Sequence, residues 1–576
     1  MNATCGMAQQ GFREQCSSRN WHRESVMRLS AQARNRGIRG PVKLQQPRFH
    51  FWCLCLAIYQ LTILMAVLTL TCIALLCVVL GIAIFKPVTQ SHASSLNQIP
   101  NAGWGAGYSR LAWAFGQECC GSITLRLPKI HEHLGRLVRI GPKEVSFYSI
   151  DIYDLVHKVN GGFVKDPRNY GEFVQDGHPA LFSITDPGEH TKRRRILGQL
   201  FSRSKIVNLE GLMLHHVNEF VKAVSKRDHP FDIGPACRAL EADIISEFSF
   251  GEALHAVSGW SNDCEIPIVS KNDQKATFMP LLMNFPVLYD LWLALEDVIC
   301  YFQGSKISSR KGLQQYDQWT RDAWVKNKDP DRKSAFPNLI NVMVSAGVPT
   351  QTALSEAKEN LGPGTDTTSV SLAHILFALS RNPTYQERLY QDLAKLGFPT
   401  DMGSLENIPR LKACVKEGIR WAGAAAAMLP RVVPPGGVEL CGEFIPEGTV
   451  ITSSPIWYLR DRYAYPNPEL FDPYRWIDET GTFMTNNALR DKFYIPFSKG
   501  SNVCIGKHFS YFELYLGLAK MVENFEIVHV NKDGFGQVAG LNNSDWQPVQ
   551  LPKRKEWVAA VVTQPLLVKT VQRVRR

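Results

Sequence analysis

Residues 51–85 run for 35 positions without a single Asp, Glu, Lys or Arg. About twenty apolar residues span the hydrocarbon core of a bilayer. The run therefore predicts one membrane crossing, a single helix that is tilted or extended along the interface. Two crossings would take about forty residues and a turn. The stretch is also too long for the apolar region of a cleaved secretory signal. The rest of the chain is expected to sit at a membrane behind this one anchor.

Charge is concentrated ahead of that run. Residues 1–50 carry nine Lys or Arg against Glu14 and Glu24, so +7 of the formal +11 belongs to a basic tail and +4 to the other 526 residues. The body has no basic surplus, and no nucleic-acid partner is expected. The positive-inside rule would keep the tail cytosolic and send the body to the lumen. The chemistry argued below needs a cytosolic body, and the two expectations conflict. The tail is Arg-rich and acid-poor, like a mitochondrial presequence, but the long apolar span behind it points to the endoplasmic reticulum membrane. Fourteen cysteines are scattered along the chain with no CxxC. That argues against a disulfide framework or a zinc site and suits a reducing compartment.

Residues 86–124 read as a linker and membrane-proximal segment, and residues 125–576 as one large domain. In "LVRIGPKEVSFY" (137–148) apolar residues alternate on either side of Gly141-Pro142, the pattern of a β-hairpin. From about residue 190 the patterns are mostly helical, with loops at 258–275 and 327–337. A second strand cluster lies at 436–451. The expected fold is mainly α with small β-sheets near each end of the body. No dinucleotide fingerprint follows a strand, and there is no room for a flavin module.

Four stretches carry chemistry. In "FSKGSNVCIG" (497–506), Phe497 opens a loop in which Cys504 lies between Gly500 and Gly506. Glycines let the backbone bend closely, and backbone N–H groups in such a turn can point at the sulfur. This suits a single axial thiolate ligand; the alternative is a buried free cysteine. In "VKEGIRWA", Glu417 and Arg420 are spaced i, i+3, on one helix face, and "FDPYRW" offers Arg475 as a third member of a buried network. "LGPGTDTTSVSLAHILFALSRNP" (361–383) reads as a long apolar helix with Gly364, Thr365, Asp366, Thr367 and Thr368 in its middle. Such residues weaken a helix interior and are tolerated where it passes something flat or relays protons; otherwise "GTDTT" starts a shorter helix. "DPGEHTKRRRILGQLFS" (186–202) puts three arginines and a histidine at a helix start, by itself a solvated basic face.

In this order the four stretches resemble the cytochrome P-450 family of haem-thiolate monooxygenases, over roughly residues 125–576. "FVKDP" and "LPRVVPPGGVEL" look most like its membrane-bound fungal members of secondary metabolism. The resemblance implies haem b with Cys504 as the iron's thiolate ligand and Phe497 bordering the cofactor. Glu417, Arg420 and Arg475 would form the structural triad behind the loop. Asp366 and Thr367 match the acid–alcohol pair that delivers protons to dioxygen, and Gly364 would leave the groove where oxygen sits. His190, Arg194 and Arg431 would hold the haem propionates.

The sequence departs from the pattern at three places. Asn502 stands where the family has an arginine against a propionate, two residues before the cysteine; Lys499 or Lys507 would have to compensate. Pro363 replaces Ala or Gly before Gly364, removes a backbone donor and is expected to sharpen a kink that widens the oxygen groove. Tyr474 replaces an acid, with a minor effect. The leading expectation is a monooxygenase that inserts one atom of O2 into a lipophilic small molecule, a terpenoid, alkaloid or polyketide intermediate. Electrons would come from a separate NADPH-cytochrome reductase. Two alternatives are a reductase-independent isomerase or dehydratase, against which the Asp366–Thr367 pair argues, and a degenerate anchored binding protein without haem, which only Asn502 favours.

Overall fold

A computed structural model describes residues 94–264, 277–303, 308–327, 336–478, 480–530 and 546–574, together with residue 71. The basic tail and, apart from residue 71, the apolar run at 51–85 lie outside the described residues. No helix among the described residues is long and apolar enough to cross a membrane. The chain divides into two units, Met1–Ala83 and Ile84–Arg576, and the described architecture is that of the second.

Local signals set most of its elements. After α1 (Ile123–Leu134) the alternation around Gly141-Pro142 forms the expected hairpin. Strand β1 (Leu137–Gly141) pairs antiparallel with β2 (Glu144–Phe147), and Leu137 lies opposite Phe147. Short helix α2 (Ile150–Val156) leads to β3 (Val164–Lys165). Helix α3 (Pro187–Phe201) starts at "DPGE", where the Asp186 carboxylate accepts a 2.7 Å bond from the Glu189 N–H and Pro187 sits in the first turn. An acidic N-cap followed by proline satisfies the free donors of the first turn. Helices α4 (Glu210–Ser225), α5 (Ile233–Phe250), α6 (Pro286–Gln303) and α7 (Ser309–Asn327) follow.

The longest element is α8, Thr350–Leu379, thirty residues with Pro363 inside it. "GTDTT" therefore lies in mid-helix and does not start a shorter one. The helix runs through Pro363 without a break, and the Thr367 hydroxyl donates to the Pro363 carbonyl at 2.9 Å. Helix α9 (Pro409–Ala422) carries Glu417 and Arg420. Strands β4 (Arg431–Val432) and β5 (Val450–Thr452) complete a five-stranded sheet in the order β1-β2-β5-β4-β3, parallel only between β2 and β5. Helix α10 (Lys507–Asn524) begins directly after the cysteine loop. A three-stranded sheet joins Phe525–His529, Leu567–Gln572 and Phe231–Asp232. The expected architecture, mainly helical with small sheets, is the one observed.

Helices α5, α8, α9 and α10 enclose the main core, which includes Ile244, Leu372, Ile375, Trp421 and Phe512, each 1% exposed or less. Where α5 crosses α8 the fit is close: a Cβ on Gly364 would come within 2.7 Å of Ile245 Cγ1. This gives the glycine a packing reason beside the one that the family resemblance implies. Overpacking a well-filled site costs about 1–3 kcal/mol. Gly364→Val is expected to lower the urea-unfolding free energy by that amount, and adding Ile245→Ala should restore part of it. A variant as stable as wild type would show that the crossing has slack.

Candidate functional site

The cysteine loop is tied to its surroundings on both sides. Cys504 N–H donates to the Phe497 carbonyl at 2.9 Å, and Val503 N–H to that of Gly500 at 3.1 Å. Three successive residues are pinned to the end of α2. Ser498 Oγ lies 2.7 Å from the Tyr153 hydroxyl, Lys499 Nζ lies 2.5 Å from Asp154 Oδ1, and Gly500 is pressed against the His157 carbonyl. A Cβ at Gly500 would sit 1.7 Å from that oxygen, and its φ is +68°. No other residue fits there. Gly506 is different: its φ is −77° and a Cβ would meet the Cys504 sulfur at an ordinary 3.8 Å. Its contribution is its N–H, which favours the thiolate form of Cys504.

Cys504 is reachable by solvent, yet protein surrounds it. Burial pushes its thiol up, while the Gly506 N–H, Arg194 and Lys507 pull it down. A metal would decide that balance, because a coordinating thiol is deprotonated outright.

Behind the loop, Glu417 and Arg420 are fully buried and form a bidentate pair, with Nε to Oε2 at 2.8 Å and Nη2 to Oε1 at 2.7 Å. Arg475 Nε reaches the same carboxylate at 3.2 Å, so the three expected partners meet. The sequence did not reveal two further donors to Glu417: Trp476 Nε1 at 3.0 Å and the Asp472 N–H at 2.9 Å. Arg420 spends its other hydrogens on the carbonyls of Leu459, Pro468 and Leu470. Burial alone would raise the Glu417 carboxyl, but Arg420 and Arg475 outweigh it and hold the group below the usual carboxylate range.

His190 and Arg194 stand one turn apart on α3, and Arg431 on β4. His190 is held down to about 4 by burial and by the neighbouring charges of Lys165, Arg194 and Arg431. Arg431 Nη1 donates to the Tyr170 hydroxyl at 2.7 Å and to the Pro430 carbonyl at 3.0 Å. Among the described residues no carboxylate is hydrogen-bonded to Arg194 or Arg431. Cations gathered in an interior without counter-ions are costly. A planar cofactor bearing two carboxylates, seated between these groups and the Cys504 thiol, fits the donor set.

On α8 the adjacent pair diverges. Asp366 is ion-paired with Arg238 of α5 and lines a cavity of about 830 Å3 with Val370, His374 and Trp557. Cys504, His190 and Arg431 do not line that cavity, so it is not the cofactor cleft. Thr367 lies about 100° further round the helix, on the side of the exposed Pro363. Of the two lysines expected to compensate for Asn502, Lys499 is already committed to Asp154. Lys507 is exposed.

The family model for cytochrome P-450 matches residues 120–537. A cytochrome P-450 monooxygenase of Penicillium terrestre is 28% identical over 459 residues, covering 75% of this chain and 87% of that one. The conidiogenone synthase of Penicillium rubens is 27% identical over 460 residues, 78% of this chain and 90% of its own. The fusicoccadiene C-8 hydroxylase of Alternaria brassicicola is 26% identical over 443 residues, 70% and 79% of the two chains. A match of that extent, on a fold that backs a lone thiol loop with a buried Glu–Arg–Arg network, permits one assignment: the chain belongs to the cytochrome P-450 family of haem-thiolate monooxygenases.

Proposed function

We propose that the protein inserts one oxygen atom from O2 into a lipophilic terpenoid, alkaloid or polyketide intermediate of fungal secondary metabolism. The observation that carries this reading is the Cys504 thiol in its tied loop, whose thiolate form the Gly506 N–H and Arg194 favour. When bound, haem supplies the oxygen chemistry, and a thiolate ligand favours O–O cleavage. Cys504 is the ligand, Phe497 borders the cofactor, Gly364 flanks the oxygen groove, and His190, Arg194 and Arg431 hold the propionates. Asp366 releases Arg238 to pass protons from the cavity side towards the Thr367 hydroxyl. The relative named as a C-8 hydroxylase supports insertion at a carbon.

The electrons come from a membrane-bound NADPH-cytochrome reductase. The apolar run at 51–85 is the single anchor in the endoplasmic reticulum membrane, with the catalytic body in the cytosol. Helix α6 supports contact with the bilayer, since it exposes Val287 (77%), Leu291 (65%), Tyr301 (78%) and Phe302 (81%). Bare apolar surface of that extent is unusual on a soluble face.

The test is the carbon monoxide difference spectrum of reduced microsomes from an expressing host, followed by turnover with and without NADPH. The expected result is a thiolate-type red-shifted Soret band and NADPH-dependent oxygenated product. A band typical of imidazole or thiol ligation would overturn the Cys504 assignment. Product formed without NADPH would favour an isomerase or dehydratase.

A further inference from the structure

Lys165 on β3 lies directly opposite Arg431 on β4 in the antiparallel register. Directly opposed residues project from the same face of a sheet, and like charges there are destabilising. Both side chains are buried, at 5% and 2% exposure. Lys165 Nζ donates to the carbonyls of Leu181 (3.1 Å) and Phe182 (2.8 Å) and lies over the Tyr170 and Phe182 rings. Its third N–H has no partner among the described residues. The carboxylates within electrostatic reach are occupied elsewhere. Glu356 takes Arg193 at 2.6 Å and the Leu181 N–H; Glu359 takes the Ser183 N–H and hydroxyl, and burial pushes it up to about 7. Burial, followed by Arg431, holds the Lys165 ammonium down to about 7. One sheet face thus presents two buried cations, with His190 and Arg194 of α3 close by, and no bonded anion to join them.

We propose that Lys165 is a further cofactor-holding residue, whose free N–H bonds a haem propionate beside Arg431. The inference rests on the haem-thiolate reading above. It also accounts for Asn502: the positive charge that this loop lacks is supplied from the neighbouring sheet, while Lys499 is paired with Asp154.

The experiment compares the rate of haem loss from purified holoprotein to excess apomyoglobin for wild type, Lys165→Met, Lys165→Gln and Lys165→Arg. Each is also loaded with haem dimethyl ester, which keeps the iron and ring but has no propionate charge. A charge-assisted bond of ordinary strength predicts haem loss about 10- to 100-fold faster in the Met and Gln variants. Lys165→Arg should stay near wild type, and the difference should vanish with the ester. Gln keeps a donor for the Leu181 carbonyl, so it separates lost charge from a loosened loop should the Met variant fold poorly. Equal loss rates, or a difference undiminished with the ester, would overturn the role of Lys165 while the Cys504 reading stands. Wild-type protein without a thiolate-type Soret band would overturn both.

Discussion

Cys504→Ser is expected to give folded protein with no thiolate-type Soret band and no oxygenated product. The loop does not depend on the sulfur for its shape. Its backbone is closed by the bonds from Cys504 N–H to Phe497 and from Val503 N–H to Gly500, and its near end is held by Tyr153, Asp154 and the His157 carbonyl. Serine is nearly isosteric with cysteine, so the change isolates the ligand. A neutral hydroxyl donates far less electron density than a thiolate, and that donation favours O–O cleavage. No other cysteine lies in the loop to replace it. Haem left in the variant by its propionate contacts would show a shifted, weakly ligated spectrum. Circular dichroism and the carbon monoxide difference spectrum together check the expectation. An unchanged band would transfer the ligand role to another residue.

The parts of the site that were legible beforehand are those set by local spacing. Alternation around Gly141-Pro142 revealed the hairpin, and an i, i+3 spacing put Glu417 and Arg420 on one face. What remained hidden depends on pairings between distant segments. "FVKDP" carried a family likeness, yet only the register of β3 against β4 brings Lys165 opposite Arg431. The ion pair of Asp366 with Arg238 requires the crossing of α5 and α8. The two glycines flanking Cys504 looked equivalent; one is forced by a positive φ and a close carbonyl, the other offers its N–H. Spacing alone makes Lys499 a candidate to replace the missing arginine; the packing of α2 beside the loop pairs it with Asp154. The apolar run at 51–85, expected to be a membrane anchor, falls, apart from residue 71, outside the described residues.

Glu417→Ala is expected to cost about 3–5 kcal/mol, the usual penalty for leaving a buried charge without its partner. Arg420 is wholly enclosed and cannot turn to water. Its remaining hydrogens hold the carbonyls of Leu459, Pro468 and Leu470, so it cannot move without leaving those unsatisfied. The Trp476 indole and the Asp472 N–H would lose their acceptor as well. Domains are stable by only about 5–15 kcal/mol, so the variant should accumulate poorly and lose haem on mild warming. Removing Arg420 together with Glu417 would not rescue it, because three carbonyls would then be orphaned. The same pair sets an acid limit. The folded-state carboxyl lies below its ordinary value of 4.5, so its contribution is present above that pH and is lost as pH falls through the folded value. The urea midpoint of wild type should therefore drop as the solution is acidified below about 4.5, and that of Glu417→Gln should drop less. A Glu417→Ala protein within about 1 kcal/mol of wild type would mean that water or another anion reaches Arg420, and the network would then be a convenience of packing and not the support of the loop.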